Sequence, residues 1–228
     1  MTAFESLMAH ARRTAALAQV AGRLGWDQET VMPRGAAEQR AEEMGAMEAV
    51  LHARRADPRV GAWLAEAEPP DAAGAAQLRL IRRAHERAVK VPGDLAAEIA
   101  RVTSRAQGIW AAARAADDPA GFLPVLAEVV RLRREEGAAL AGAGDPYEAL
   151  LQDYEPGARV AELRAMFEAM RPRLAALRAA VLERPAPPAL SGRFEAERQR
   201  ALAEELARAF GYDLARGRID TAVHPFSS

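Results

Sequence analysis

Apolar residues recur at helical intervals through almost the whole chain. In the segment from Pro119 to Leu140 the positions Phe122, Val125, Leu126, Val129, Val130, Leu132 and Leu140 follow mostly three- and four-residue steps. Such steps put a stripe on one face of a helix. Between Val160 and Leu182 the set Leu163, Met166, Phe167, Met170, Leu174, Leu177 and Val181 does the same, and Pro172 should kink or split that helix. Start signals punctuate the pattern. Thr2 with Glu5 forms a T-x-x-E capping box. Asp57-Pro58, Asp118-Pro119 and Asp145-Pro146 each place an acceptor at the N-cap and proline at the first helical position. Asp71 opens a further helix after Pro69-Pro70, Pro92-Gly93-Asp94 separates two more, and Gly211 suits the residue that closes a helix. About eight or nine helices result. The fold class expected is all-α, with one short strand near the C-terminus where Ile219, Thr221 and Val223 alternate between Arg218 and His224.

The organisation expected is a single helical region over residues 1–228. No repeat of fixed period appears, and the proline-rich stretch from Glu183 to Gly192 reads as a loop between two amphipathic helices. Composition agrees with helix: half the residues are hydrophobic, yet aromatics make up only 5%, so alanine and leucine carry the apolar content. The net charge of −1 supplies no field that would draw nucleic acid or an anionic membrane. Lys90 is the sole lysine among 31 basic residues, a bias read as genomic base composition because glutamates interleave with the arginines. The absence of cysteine excludes disulfides, thiolate metal sites and thiol nucleophiles. The N-terminus has no secretory pattern and no apolar run is long enough to span a bilayer, so no membrane partner is expected and the default location is cytoplasmic.

The search for chemistry begins with what is missing. Glycine-rich phosphate loops and the G-x-S-x-G elbow do not occur. The histidines are His10, His52, His85 and His224, and no His-Glu-x-x-His is present. Glu48 and His52, one turn apart, could share a metal in a helical bundle, but they read better as a surface pair. His85-Glu86 reads as a solvated helix face among arginines. Two stretches stand apart as non-helical interruptions. One is GWDQETVMPRG, Gly25 to Gly35, with Trp26 as an anchor in a capped turn. The other is DPYEALLQDYEPG, Asp145 to Gly157, a short helix whose Tyr147 and Tyr154 suit core packing with a bonded hydroxyl.

Together these stretches resemble one family. GWDQETVMPRGAAEQRAEEM resembles the N-terminal signature of the carboxypeptidase Taq metallocarboxypeptidases. DPYEALLQDYEPG followed by VAELRAMFEAMRPRL resembles the middle segment, and GYDLARGRIDTAVHPFSS the approach to a His-Pro-Phe motif. The likeness runs in order from about residue 20 to the last. It departs where Ala36 and Ala37 follow Gly35, since the family often has two adjacent glycines after its Met-Pro turn.

The resemblance implies a multi-helix elongated bundle that forms one wall and the roof of a peptidase cleft. It also implies an enzyme that removes single residues from peptide C-termini with zinc or cobalt, and a homodimer. In the family, Asp-x-Arg-x-Thr, His-Glu-x-x-His and a later glutamate ligand follow His-Pro-Phe. None is in this sequence, so the chain is expected to be truncated before the catalytic zinc-binding half and inactive by itself, with neither catalytic residues nor metal ligands of its own. The resemblance places His224 near the substrate, while Trp26, Asp27 and Tyr154 would fix helix geometry. The competing expectation is a non-catalytic helical module that binds a partner or dimerises.

Overall fold

A computed structural model describes residues 1–189 and 191–224. By its contacts the chain separates into two compact units. One comprises Met1–Pro156 and the described tail from Ala222 onward, the other Gly157–Thr221. The first contains α1 (Ala3–Thr30), a 3-10 turn (Arg34–Ala36), α2 (Ala37–Arg55), α3 (Pro58–Glu66), α4 (Ala72–Ala88), α5 (Gly93–Ala116), α6 (Pro119–Ala141) and α7 (Pro146–Leu151). The second contains α8 (Val160–Leu182) and α9 (Ala196–Ala209).

Helix boundaries follow the local chemistry read from the sequence. Thr2 Oγ1 accepts from the Glu5 N–H at 3.1 Å while Glu5 accepts from the Thr2 N–H at 2.9 Å, so both halves of the capping box form. The side chains of Asp57, Asp71, Asp118 and Asp145 each accept a backbone N–H that the helix itself leaves unpaired. At the far end of α9 the Gly211 N–H donates to the Arg208 carbonyl and the Tyr212 N–H to the Ala207 carbonyl, both at 2.9 Å. This is the Schellman arrangement, and it requires the left-handed conformation that Gly211 adopts at φ 87°.

Three expectations need correction. GWDQET does not interrupt a helix, because α1 continues through Thr30 and only Val31 to Pro33 break it before the 3-10 turn. Pro172 does not split α8, which runs unbroken from Val160 to Leu182. No strand occurs among the described residues. Ile219, Thr221 and Val223 alternate without a neighbouring chain to pair with, and the segment is held locally by an Arg218–Asp220 ion pair at 2.6 Å.

In the first unit, apolar side chains gather at two centres. Leu7 and Met8 of α1 meet Val60 and Leu64 of α3 and Leu78 of α4, with Phe4, Trp63 and Ile81 around them. Ile99, Val102 and Ala106 of α5 meet Val125 and Leu132 of α6, with Leu95, Ile109, Phe122 and Val129 around them. Small residues let α2 approach α5. Ala41 is buried, and a Cβ on Gly45 would lie 3.3 Å from both the Ala97 carbonyl and the Arg101 Cβ. Tyr147 and Tyr154 are not core residues as expected, for both are largely exposed.

The second unit is different. Its α8 stripe has the expected period, yet Met166, Phe167, Met170, Leu174, Leu177 and Val181 are all exposed. Neither α8 nor α9 has a buried residue. Periodicity specified an amphipathic helix there without specifying what covers it.

Candidate functional site

The last two turns of α1 distribute their polar side chains to different neighbours. Asp27 turns toward α2, where the Arg40 guanidinium donates to it at 2.5 Å, to Glu43 at 2.9 Å and to the Leu24 carbonyl. Arg40 is nearly buried. Burial alone would lower its pKa, but Asp27 and Glu43 together raise it, so the group is held charged. Asp27 therefore does fix helix geometry, by locking α1 to α2.

Gln28 and Glu29 turn toward α5. Ser104 Oγ donates to Gln28 Oε1 at 2.6 Å while Gln28 Nε2 donates to the Ser104 carbonyl at 3.1 Å. One turn further along α5, Gln107 Nε2 donates to Glu29 Oε2 at 2.6 Å. Another three residues on, Trp110 meets the His224 ring edge-on, with centroids 6.0 Å apart and an interplanar angle of 74°. Ser104, Gln107 and Trp110 thus form a row at three-residue spacing down one face of α5. Burial raises the pKa of Glu29, opposed by the Gln107 hydrogen bond and by the charge of His224.

Ser104 and Gln107, with Gln28 and Glu29, border a cavity of about 510 Å³, whose other walls include Glu48 of α2 and Arg133 and Glu136 of α6. Glu48 pairs with Arg55 at 2.9 Å and Glu136 with Arg133 at 2.7 Å. Burial raises the Glu48 pKa despite Arg55 and His52, and the charge of Glu136 adds to the rise. A second cavity of about 350 Å³ lies beyond, sharing Glu48, Ala96 and Glu136 and adding His52, Arg55 and Arg87.

The remaining histidines are clasps. His10 Nε2 lies 2.9 Å from the Arg54 carbonyl, His85 Nδ1 2.7 Å from the Arg55 carbonyl, and His52 Nε2 2.7 Å from the Val91 carbonyl. A carbonyl only accepts, so each of these nitrogens carries the proton. Arg54 and Arg55 end α2, where carbonyls have no partner within the helix; His10 from α1 and His85 from α4 supply it. His85 is therefore not a solvated face residue. Glu48 and His52 do not pair with each other: Arg55 donates to the Glu48 carboxylate at 2.9 Å, and His52 Nε2 turns to the Val91 carbonyl. Among the described residues no group of three or more histidine, aspartate or glutamate side chains is arranged to hold a metal ion. No described helix is long and apolar enough to cross a membrane.

Sequence reasoning named His224 but missed Glu29, Ser104, Gln107 and Trp110. The signal of Ser104, Gln107 and Trp110 was present as the three-residue spacing in SRAQGIW, and Glu29 stood in WDQET, but polar residues on an amphipathic helix give no hint of which face meets another element. Pro225 and Phe226 of the His-Pro-Phe motif lie outside the described residues.

Comparison with known proteins supplies the wider frame. Thermostable carboxypeptidase 1 of Thermus thermophilus is 39% identical across 98% of this chain and 48% of its own length. The crystal structure of an M32 carboxypeptidase from Deinococcus radiodurans superposes with a TM-score of 0.78 at 29% identity, covering 98% of this chain and 46% of that one. The BsuCP crystal structure reaches a TM-score of 0.90 over 99% of this chain and 47% of its own, at 22% identity, a likeness of fold alone. The chain spans about half the length of the curated relatives it matches. Residues 6–228 match the carboxypeptidase Taq (M32) metallopeptidase family, and the chain belongs to it.

Proposed function

We propose that this chain contributes the N-terminal part of a zinc-dependent cytoplasmic metallocarboxypeptidase that releases single amino acids from peptide C-termini, and that it is inactive by itself. The observation that carries this reading is the match along nearly the whole chain to about half of each carboxypeptidase relative. A metal in such an enzyme, zinc or cobalt, polarises the scissile carbonyl and activates water. Among the described residues no group of three or more histidine, aspartate or glutamate side chains is gathered to hold a metal. The part of this chain is to bind and orient. Its helices form one wall and the roof of the peptide cleft, and His224 stands near the substrate.

The test is release of the C-terminal residue from N-blocked dipeptides, with zinc or cobalt supplied. The 228-residue chain should release none. Joined to, or co-expressed with, a polypeptide corresponding to the rest of the relatives, it should do so. Activity of the chain alone refutes its passivity, and an inactive, folded longer protein refutes the peptidase reading.

A second reading is favoured by the exposed apolar stripe of α8. On this reading the chain is a non-catalytic module that associates through that stripe, most simply as a homodimer. Sedimentation would then give a single discrete dimer, whereas a monomer excludes it.

A further inference from the structure

The row on α5 ends at a contact that nothing about helix packing requires. His224 lies in a tail that carries no helix and returns to the first unit from Ala222 onward. A segment of this kind is fixed only where its side chains tie it down. Here the His224 and Trp110 rings meet edge-on with centroids 6.0 Å apart, and His224, after Gln107, opposes the rise that burial gives the Glu29 pKa. Glu29 is in turn fixed by Gln107 at 2.6 Å, and the adjacent Gln28 by two hydrogen bonds to Ser104. The carboxylate cannot swing away without leaving the Gln107 amide.

We propose that Glu29 and Trp110 are positioning residues that capture His224 beside this face of α5, the indole fixing the plane of its ring and the carboxylate, held by Gln107, drawing the ring toward α1. Neither touches the peptide. Both act through His224, so this inference rests on the reading that His224 faces the substrate.

The geometry gives the two residues separate tasks. An indole edge limits the tilt of the ring but is indifferent to its charge. A carboxylate attracts a cationic ring whatever its tilt. Loss of Trp110 should free the ring while the attraction persists. Loss of the Glu29 charge should remove the attraction while the ring still meets the indole.

The experiment is nuclear magnetic resonance on this chain without substrate, reading the His224 ring protons and the Glu29 side-chain carboxyl carbon. In the wild type the His224 ring protons should be displaced from the positions of an unstructured histidine by the Trp110 ring current. Trp110→Ala should abolish the displacement and Glu29→Gln should alter it. Glu29→Asp, which keeps the charge on a shorter arm, should restore part of it, a rescue that a purely packing role would not give. The Glu29 titration midpoint should rise further in His224→Asn, because a lowering influence has gone. His224 is exposed, so that variant folds even if Glu29→Gln does not.

His224 signals that are the same in wild type, Trp110→Ala and Glu29→Gln overturn the proposal, as does a Glu29 midpoint indifferent to His224→Asn. These readouts involve no catalysis. Their failure sinks the capture and leaves the peptidase reading standing, whereas an inactive longer enzyme sinks that reading and leaves the capture.

Discussion

Replacing Arg40 tests how firmly the end of α1 is locked to α2. The guanidinium side chain is 10% exposed and its partners Asp27 and Glu43 are 34% and 39% exposed. A hydrogen bond to a charged group contributes about 1.5–3 kcal/mol net when buried, while pairs at the surface contribute about 1 kcal/mol or less. Arg40→Ala would leave carboxylates that water can reach, so the penalty falls short of the ~3–5 kcal/mol typical of a broken, fully buried pair. Added to this is the packing lost with the three-carbon stem. Together these give a loss of about 2–4 kcal/mol. Tryptophan fluorescence in urea isolates the effect, because Trp26, Trp63 and Trp110 all lie in the first unit. With a slope of about 1–3 kcal/mol per molar urea, the midpoint should fall by roughly 1 M or more. Arg40→Lys should recover less than half of the loss, since a point charge cannot span Asp27, Glu43 and the Leu24 carbonyl together. A loss in Arg40→Ala below about 1 kcal/mol, the range of an exposed pair, would refute the reasoning.

Four other outcomes follow from the same structure. Leu7 is fully buried between α1, α3 and α4, so Leu7→Ala should cost about 2–5 kcal/mol in the same urea titration. Leu174→Glu with Leu177→Glu on the exposed α8 stripe should leave the far-UV spectrum unchanged and reduce any concentration-dependent sedimentation. Burial pushes the Glu48 carboxyl above its ordinary value; its contribution to stability is complete below the ordinary 4.5 and is lost as pH rises through the folded value. Glu48→Gln should therefore gain in melting temperature relative to wild type as pH is raised from 4.5 to neutral. The Arg59 guanidinium and backbone N–H hold Asp57 at about 2, against an ordinary 3.8. Its contribution is present above 3.8 and lost as pH falls toward 2, so the wild type's advantage over Asp57→Asn in thermal melts should shrink across that range.

Much of the fold was legible residue by residue. Thr2, Asp57, Asp71, Asp118 and Asp145 cap helices where the sequence placed them, because a cap depends on atoms two or three residues apart. GWDQET was misread because a tryptophan and a run of polar residues look like a loop when their partners are unknown. In the structure Asp27, Gln28 and Glu29 each have a partner on another helix, Arg40, Ser104 and Gln107, and that is what the polar residues in the last turns of α1 are for. His224 was reachable only through family resemblance, and its surroundings were not reachable at all.

The sequence by itself therefore determined that this chain is helical, where most of its helices begin, and to which family it is akin, since caps, period and motif are local in the chain. Only the tertiary structure decided that Gln107 meets Glu29 across 78 positions of separation, that His10 and His85 clasp the carbonyls at the end of α2, and that Val125, Leu132 and Leu140 of the α6 stripe are buried while the α8 stripe is exposed. Periodicity tells a helix which face is apolar. Which faces meet, and which charges then lose their water, depends on distances between residues remote in sequence, and no local pattern encodes those.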